Sequence, residues 1–196
     1  MYLFLNFFKK ILYKIFIPII LLSKGVQFGK RVRFYGLPLI FRNVNSRIII
    51  GSDSTLCSVS SMTALGLNHP VVLRTISENS QIIIGNETGI SGGTICASKS
   101  ITIGDKCLIG ANVTIVDTDF HTINSNGRHT DKYIDNVNVR PVFIADNVFI
   151  GTGAIILKGV NIGENSVIAA HSVVTKSIPA NVIAGGNPAV VLKVIK

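Results

Sequence analysis

Tryptophan is absent from the 196 residues, and cysteine occurs only three times. An odd count without C-x-x-C spacing gives no disulfide framework. Cys57, Cys96 and Cys107 read instead as reduced, small buried hydrophobes of a cytosolic protein. Charge is sparse, at 15% against 47% hydrophobic residues, which excludes a disordered chain. Acidic residues are missing altogether from residues 1–52, which hold nine Lys and Arg, whereas residues 53–196 hold ten of each sign. The net charge of +9 therefore belongs to the front of the chain, which argues against a nucleic-acid binder that uses its whole surface. Long apolar runs are lacking too. Lys9, Lys10 and Lys14 interrupt residues 1–22, and the uncharged stretch from Ile15 to Ser23 is too short to span a bilayer. With no basic region before the apolar one and no A-x-A site, residues 1–22 make a poor signal peptide too.

What is present is a period. Ile144, Ile150, Ile156, Ile162, Ile168 and Val174 recur at every sixth residue, each followed by a residue that is mostly small. Neither a 3.6-residue helix nor simple strand alternation gives a strict six, so each unit is a short strand with one inward aliphatic and a tight corner. Three units close one triangular coil of about 18 residues, and the aliphatics of successive coils stack into one interior column. The phrases IIIGSDS, IIIGNET, ITIGDKC and VNIGENS repeat one design. Ile84 and Ile90 fit the phase, Cys96 takes the next inward slot, and one extra residue shifts the frame to Ile103, Ile109 and Ile115. Ile50 and Leu56 fit again, with Phe28 and Phe34 as a degenerate first unit.

Around that period the chain divides into residues 1–24, a basic amphipathic helix; 25–178, the repeat domain; and 179–196, a closing segment whose end is a short strand or helix laid back along the body. Asn6, Lys9, Lys10, Tyr13 and Lys14 form a polar stripe on the helix, which Pro18 should end or bend. The helix either lies on an anionic membrane face or covers the open end of the repeat stack. Residues 57–80 leave the period in a bulging loop, where His69 precedes Pro70. After Val116 the repeat stops for the polar stretch DTDFHTINSNGRHTDKYIDNVNVRPV, and it resumes at Ile144. This protruding loop, at about 119–142, holds His121 and His129, and long ordered loops of this kind usually carry function.

The phrase Asp117-Thr118-Asp119-Phe120-His121 is the candidate site. A neutral imidazole suits removal of a hydroxyl proton near neutral pH, and Asp119 could accept from its other ring nitrogen if the chain bends at Phe120. A loop histidine merely paired with an acid would read the same way. Small residues at equivalent corners one coil apart, Thr152-Gly153 and Ala169-Ala170, suit contact with a flat ligand, although tight corners need small side chains anyway. Ser91, Asp117, Arg128 and Tyr133 are candidates for acceptor contact, and His171 projects from a corner towards a neighbour or a cofactor.

From Ile82 to Ile195 the chain resembles the hexapeptide-repeat acyltransferases. Within that family it looks like the sugar O-acetyltransferases, including the maltose and galactoside enzymes and those of polysaccharide synthesis. The stretch ADNVFIGTGAIILKGVNIGENSVIAAHSVVTKSIPANVIAGGNPAVVLK matches the C-terminal coils of that family along its length. The resemblance implies an all-β, left-handed parallel β-helix, a homotrimer with sites between subunits, and acetyl-CoA as acyl donor without a metal. It implies His121 as general base, with the donor against the small-residue corners and Thr175, Lys176 and Lys193 near its nucleotide end. Val190 departs from the family, which often has Arg there. Direct acetyl transfer to a sugar or glycan hydroxyl is the expectation, in the cytoplasm or on the inner membrane face. N-acetylation of an amino sugar, a zinc carbonic-anhydrase-like β-helix and a non-catalytic scaffold are the alternatives.

Overall fold

The computed structural model describes residues 2–125, 128–129 and 137–195, with side chains described from Tyr13 onward. The strands wind into a left-handed parallel β-helix of six coils with three faces. The first coil is β1 (Val26–Phe28), β2 (Arg33–Tyr35) and β3 (Leu39–Phe41). The second is β4 (Arg47–Ile50), β5 (Thr55–Cys57) and β6 (Val72–Thr75), and the third β7 (Gln81–Ile84), β8 (Gly89–Ser91) and β9 (Thr94–Ala97). The fourth is β10 (Ser100–Ile103), β11 (Leu108–Ile109) and β12 (Thr114–Val116), and the fifth β13 (Val142–Ile144), β14 (Phe149–Ile150) and β15 (Ile155–Ile156). The sixth, β16 (Asn161–Ile162), β17 (Val167–Ile168) and β18 (Val173–Val174), precedes a closing hairpin. Its strands β19 (Val182–Gly186) and β20 (Ala189–Val194) pair antiparallel, so the chain end is a strand laid back on the second face.

Register converts the sequence period into a core. On the first face Phe28, Ile50, Ile84, Ile103, Ile144 and Ile162 stack in line. On the third, Ile40, Leu73, Ile95, Ile115, Ile156 and Val174 do the same. All except the half-buried Phe28 are buried, and Phe28 meets Phe34 edge to face with centroids 5.7 Å apart. The inward slot after Ile90 belongs to Ile95, not to Cys96. The corner at Gly92-Gly93 is one residue shorter than the period allows, and Cys96, one step on in the same strand, is buried as well.

The corners explain why small and polar residues follow each aliphatic. Between the first and second faces the third corner residue always has positive φ: Asp53 (61°), Glu87 (55°), Lys106 (57°), Asn147 (56°) and Asn165 (59°). That region is tolerated best by Asn and Asp among non-glycine residues. Asn147 donates to Asn165, and Asn165 to Asn181, both at 2.9 Å, forming an amide ladder up the edge.

Helix α1 (Tyr2–Ser23) packs on β1 and β2. Ile17 and Leu21 are buried in the coil interior, so the helix covers the open end of the stack. Pro18 does not end the helix, which runs on to Ser23. Burial of Ile17 and Leu21 holds the segment past the one backbone bond that proline removes. No helix among the described residues is long and apolar enough to cross a membrane.

Candidate active site

The protruding loop leaves the third face after β12 and returns at β13. Its foot is closed by an antiparallel bridge between Thr118 and Val139, and Asp119 N–H donates to Asn138 O at 3.3 Å. Phe120 supplies the bend in question, with φ +62°, and its N–H donates to Thr118 Oγ1 at 3.1 Å. The turn folds His121 N–H back onto Asp119 O at 2.7 Å, and the imidazole stands exposed just above the foot.

The two aspartates take tasks that differ from the expectation. Asp117, expected to touch the acceptor, is completely buried. Its carboxylate accepts from the N–H groups of Ser98, Lys99 and Ser100 at 2.6, 2.7 and 2.7 Å, pinning the turn between β9 and β10. No face remains for a substrate. Asp119 was expected to orient the His121 ring, but its Oδ1 lies 2.6 Å from Lys158 Nζ. Nothing in the sequence marks Lys158, which sits in the repeat as an ordinary corner residue. Register exposes it: Ile115 pairs with Ile156, so Lys158 lies one coil above Asp117, under the loop foot. Arg140 reinforces that foot, accepting from Gly159 N–H and donating its own N–H to Asp117 O, both at 2.9 Å.

The remaining candidates fall on two edges of the prism. Thr175 and Lys176 are exposed on the edge between the third and first faces, one coil above Lys158 and therefore on the His121 edge. Thr152, Gly153, Ala169 and Ala170 stack on the edge between the second and third faces, as the pairing of Ile150 with Ile168 requires. Thr152 donates its hydroxyl to Ala111 O at 2.7 Å, and Ala170 is exposed. Gly153 has φ +67°, and a Cβ there would come within 2.5 Å of the His171 ring, so this corner stays flat only with glycine. Ser91 lines the same second-face edge, and Lys193 is exposed on β20. Arg128 is exposed and donates to Ile123 O at 2.6 Å; Tyr133 lies outside the described residues. Within one chain, then, the His121 edge and the small-residue edge are separated by the width of the third face.

All three cysteines are buried, which makes each a poor nucleophile. Burial pushes the Cys96 thiol up to about 11 and also raises that of Cys107. Among the described residues no three metal-ligating side chains converge.

Two family descriptions match the coils. "Bacterial transferase hexapeptide (six repeats)" matches residues 141–176, and "Hexapeptide repeat of succinyl-transferase" matches residues 81–116. The galactoside O-acetyltransferase of Lactococcus lactis is 41% identical over 102 residues, covering 52% of this chain and 47% of that protein. That of Escherichia coli is 42% identical over 105 residues, covering 52% and 48%. The chain thus spans about half the length of the curated relatives it matches. Among solved structures, a galactoside acetyltransferase in complex with coenzyme A aligns with TM-score 0.54 and 28% identity, over 87% of this chain and 65% of that one. Repeat phrases, coil register and matched stretches converge: residues 81–116 and 141–176 carry hexapeptide repeats of the bacterial transferase kind, and the chain is similar to the hexapeptide-repeat acyltransferases.

Proposed function

We propose that the protein is an O-acetyltransferase that moves an acetyl group from acetyl-CoA to a hydroxyl of a sugar or glycan precursor. The observation that carries the reading is His121, exposed at the foot of the loop that interrupts the coils, on a chain resembling galactoside O-acetyltransferases over half its length. The small-residue edge fits the donor. Thr152, Gly153, Ala169 and Ala170 leave it flat, and Lys176 and Lys193 are exposed cations suited to phosphates. Bound acetyl-CoA supplies the activated thioester.

His121 holds the acceptor hydroxyl and removes its proton as the oxygen bonds to the acyl carbon. Backbone N–H groups stabilise the oxyanion, and the imidazolium returns the proton to the departing sulfur. Asp119 acts as a positioning residue, tying the loop foot to Lys158. Because the His121 edge and the small-residue edge lie one face apart in a single chain, the complete site forms between copies, in a homotrimer. The protein works in the cytoplasm, with residues 1–24 against the inner membrane face.

The test is thiol release from acetyl-CoA by the purified protein, with a panel of sugars and nucleotide sugars. Acceptor-dependent release that falls by roughly 10²–10⁴ in His121→Ala is the expected outcome. Acceptor-dependent release that survives in the variant removes His121 from its role, and a protein that neither binds nor cleaves acetyl-CoA sinks the reading. Release with amino sugars alone moves the reaction to N-acetylation.

A further inference from the structure

A cleft of about 410 Å³ opens between α1 and the second strand of the first coil. Its floor is apolar, built from Pro18, Val32 and Phe34, and its rim carries Lys14, Arg31 and Arg33. Arg31 is already committed, since Nε and Nη2 grip the two carboxylate oxygens of Asp53 at 2.6 Å each. Arg33, which also lines the cleft, uses Nε on Thr55 Oγ1 at 3.0 Å, and its terminal nitrogens have no hydrogen-bond partner among the described residues. Among the described residues neither Lys14 nor Arg33 has a carboxylate partner. With Asp53 cancelled by Arg31, the cleft presents two cations over an apolar floor, in a segment whose first 52 residues carry no acid.

Beside this cleft the outer face of α1 is apolar. Ile15, Ile19 and Leu22 share one side of the helix by their spacing, with Phe16 flanking them. They are 51, 59, 58 and 56% exposed. Capping the coil therefore uses only the Ile17–Leu21 side and leaves a hydrophobic row facing away from the body. A hydrophobic row flanked by unpaired cations is complementary to an anionic lipid surface, which takes the row into its acyl boundary and offers phosphate to the cations.

We propose that the cleft binds the phosphate headgroup of an anionic phospholipid while the adjacent row of α1 enters the bilayer interface. This deepens the membrane contact given above for residues 1–24 and does not depend on the acetyl-transfer chemistry. The α1 cap is thus two-sided, with one side closing the β-helix and the other docking it.

The test is co-sedimentation of the full chain with vesicles of phosphatidylglycerol and phosphatidylcholine, against pure phosphatidylcholine, at fixed salt. Binding at least tenfold tighter to the anionic vesicles is expected. The double substitution Lys14→Glu, Arg33→Glu should lose that preference, and Phe16→Ser, Ile19→Ser should lose vesicle binding outright. Both variants should retain the wild-type circular dichroism and acetyl-CoA binding. Equal binding to the two vesicle types would overturn the headgroup assignment. Glycerol phosphate that binds the cleft while vesicles do not would make a soluble phosphate ester the ligand and remove the lipid. A smaller assembly in Phe16→Ser, Ile19→Ser, without vesicle binding by the parent, would make the row a contact between copies.

Discussion

The Lys158 ammonium meets the Asp119 carboxylate at 2.6 Å, joining the foot of the protruding loop to the corner of the fifth coil. Both side chains are largely shielded, at 16 and 26% exposure, so the contact is stronger than a typical surface ion pair. It holds the turn whose next two residues are Phe120 and His121. Lys158→Met and Asp119→Asn should each lower kcat/KM about tenfold, or about 1.4 kcal/mol. The double variant should be no worse than either single one, as a coupled pair requires. A much larger loss for Asp119→Asn alone would mean that its carboxylate acts on the imidazole directly.

Asp117 should matter for stability rather than for substrate affinity. Removing its carboxylate strands three partly buried N–H donors at once, so Asp117→Ala should lower unfolding stability by about 2–3 kcal/mol. Denaturant titration measures the loss. If Asp117→Ala unfolds normally but raises the acceptor KM, the buried-staple account fails.

Cys96 should resist thiol reagents. Its raised pKa of about 11, against an ordinary 9.0, leaves almost no thiolate at pH 8. Peptide mapping after iodoacetamide treatment of the native protein should find Cys96 unmodified there. The sign of the linkage follows. The unfolded thiol ionises near pH 9 and the folded one near 11, so this contribution is intact below 9 and is lost as pH rises through that window. Cys96→Ala should flatten the alkaline loss of stability over the same range.

Gly153→Ala tests the flat edge. Its φ of +67° and the His171 ring 2.5 Å from the added Cβ should cost about 1–2 kcal/mol and raise the KM for acetyl-CoA more than it changes kcat. An unchanged KM would remove this corner from the donor site.

The repeat made most of the fold legible, because a strict period in aliphatic residues fixes inward positions without any knowledge of contacts. Its one misplacement, Cys96 for Ile95, arose where two glycines shorten a corner and the count alone cannot show which residue turns in. The site was legible as a segment but not as geometry. Asp117 and Asp119 differ by two positions and look interchangeable in sequence. Which one is swallowed by the turn at Ser98–Ser100 depends on the register of coils nineteen residues apart. Lys158 carries no local mark at all, since its partner is supplied by a loop inserted thirty-nine residues earlier. On α1, amphipathic spacing left open whether the helix covers the stack or meets a lipid surface, and the fold shows the first role with a face left over.

The bridge between Thr118 and Val139 has a meaning beyond the site. It shuts the excursion off at its base, so Ile115 pairs with Ile156 as if the intervening residues were not there. Loop-closure entropy grows only slowly with length, which leaves this socket tolerant of inserts of very different size. The scaffold can therefore keep its folding determinants fixed while the residues between the two strands diverge, so that selection on the acceptor and selection on the fold act on separate stretches of the chain.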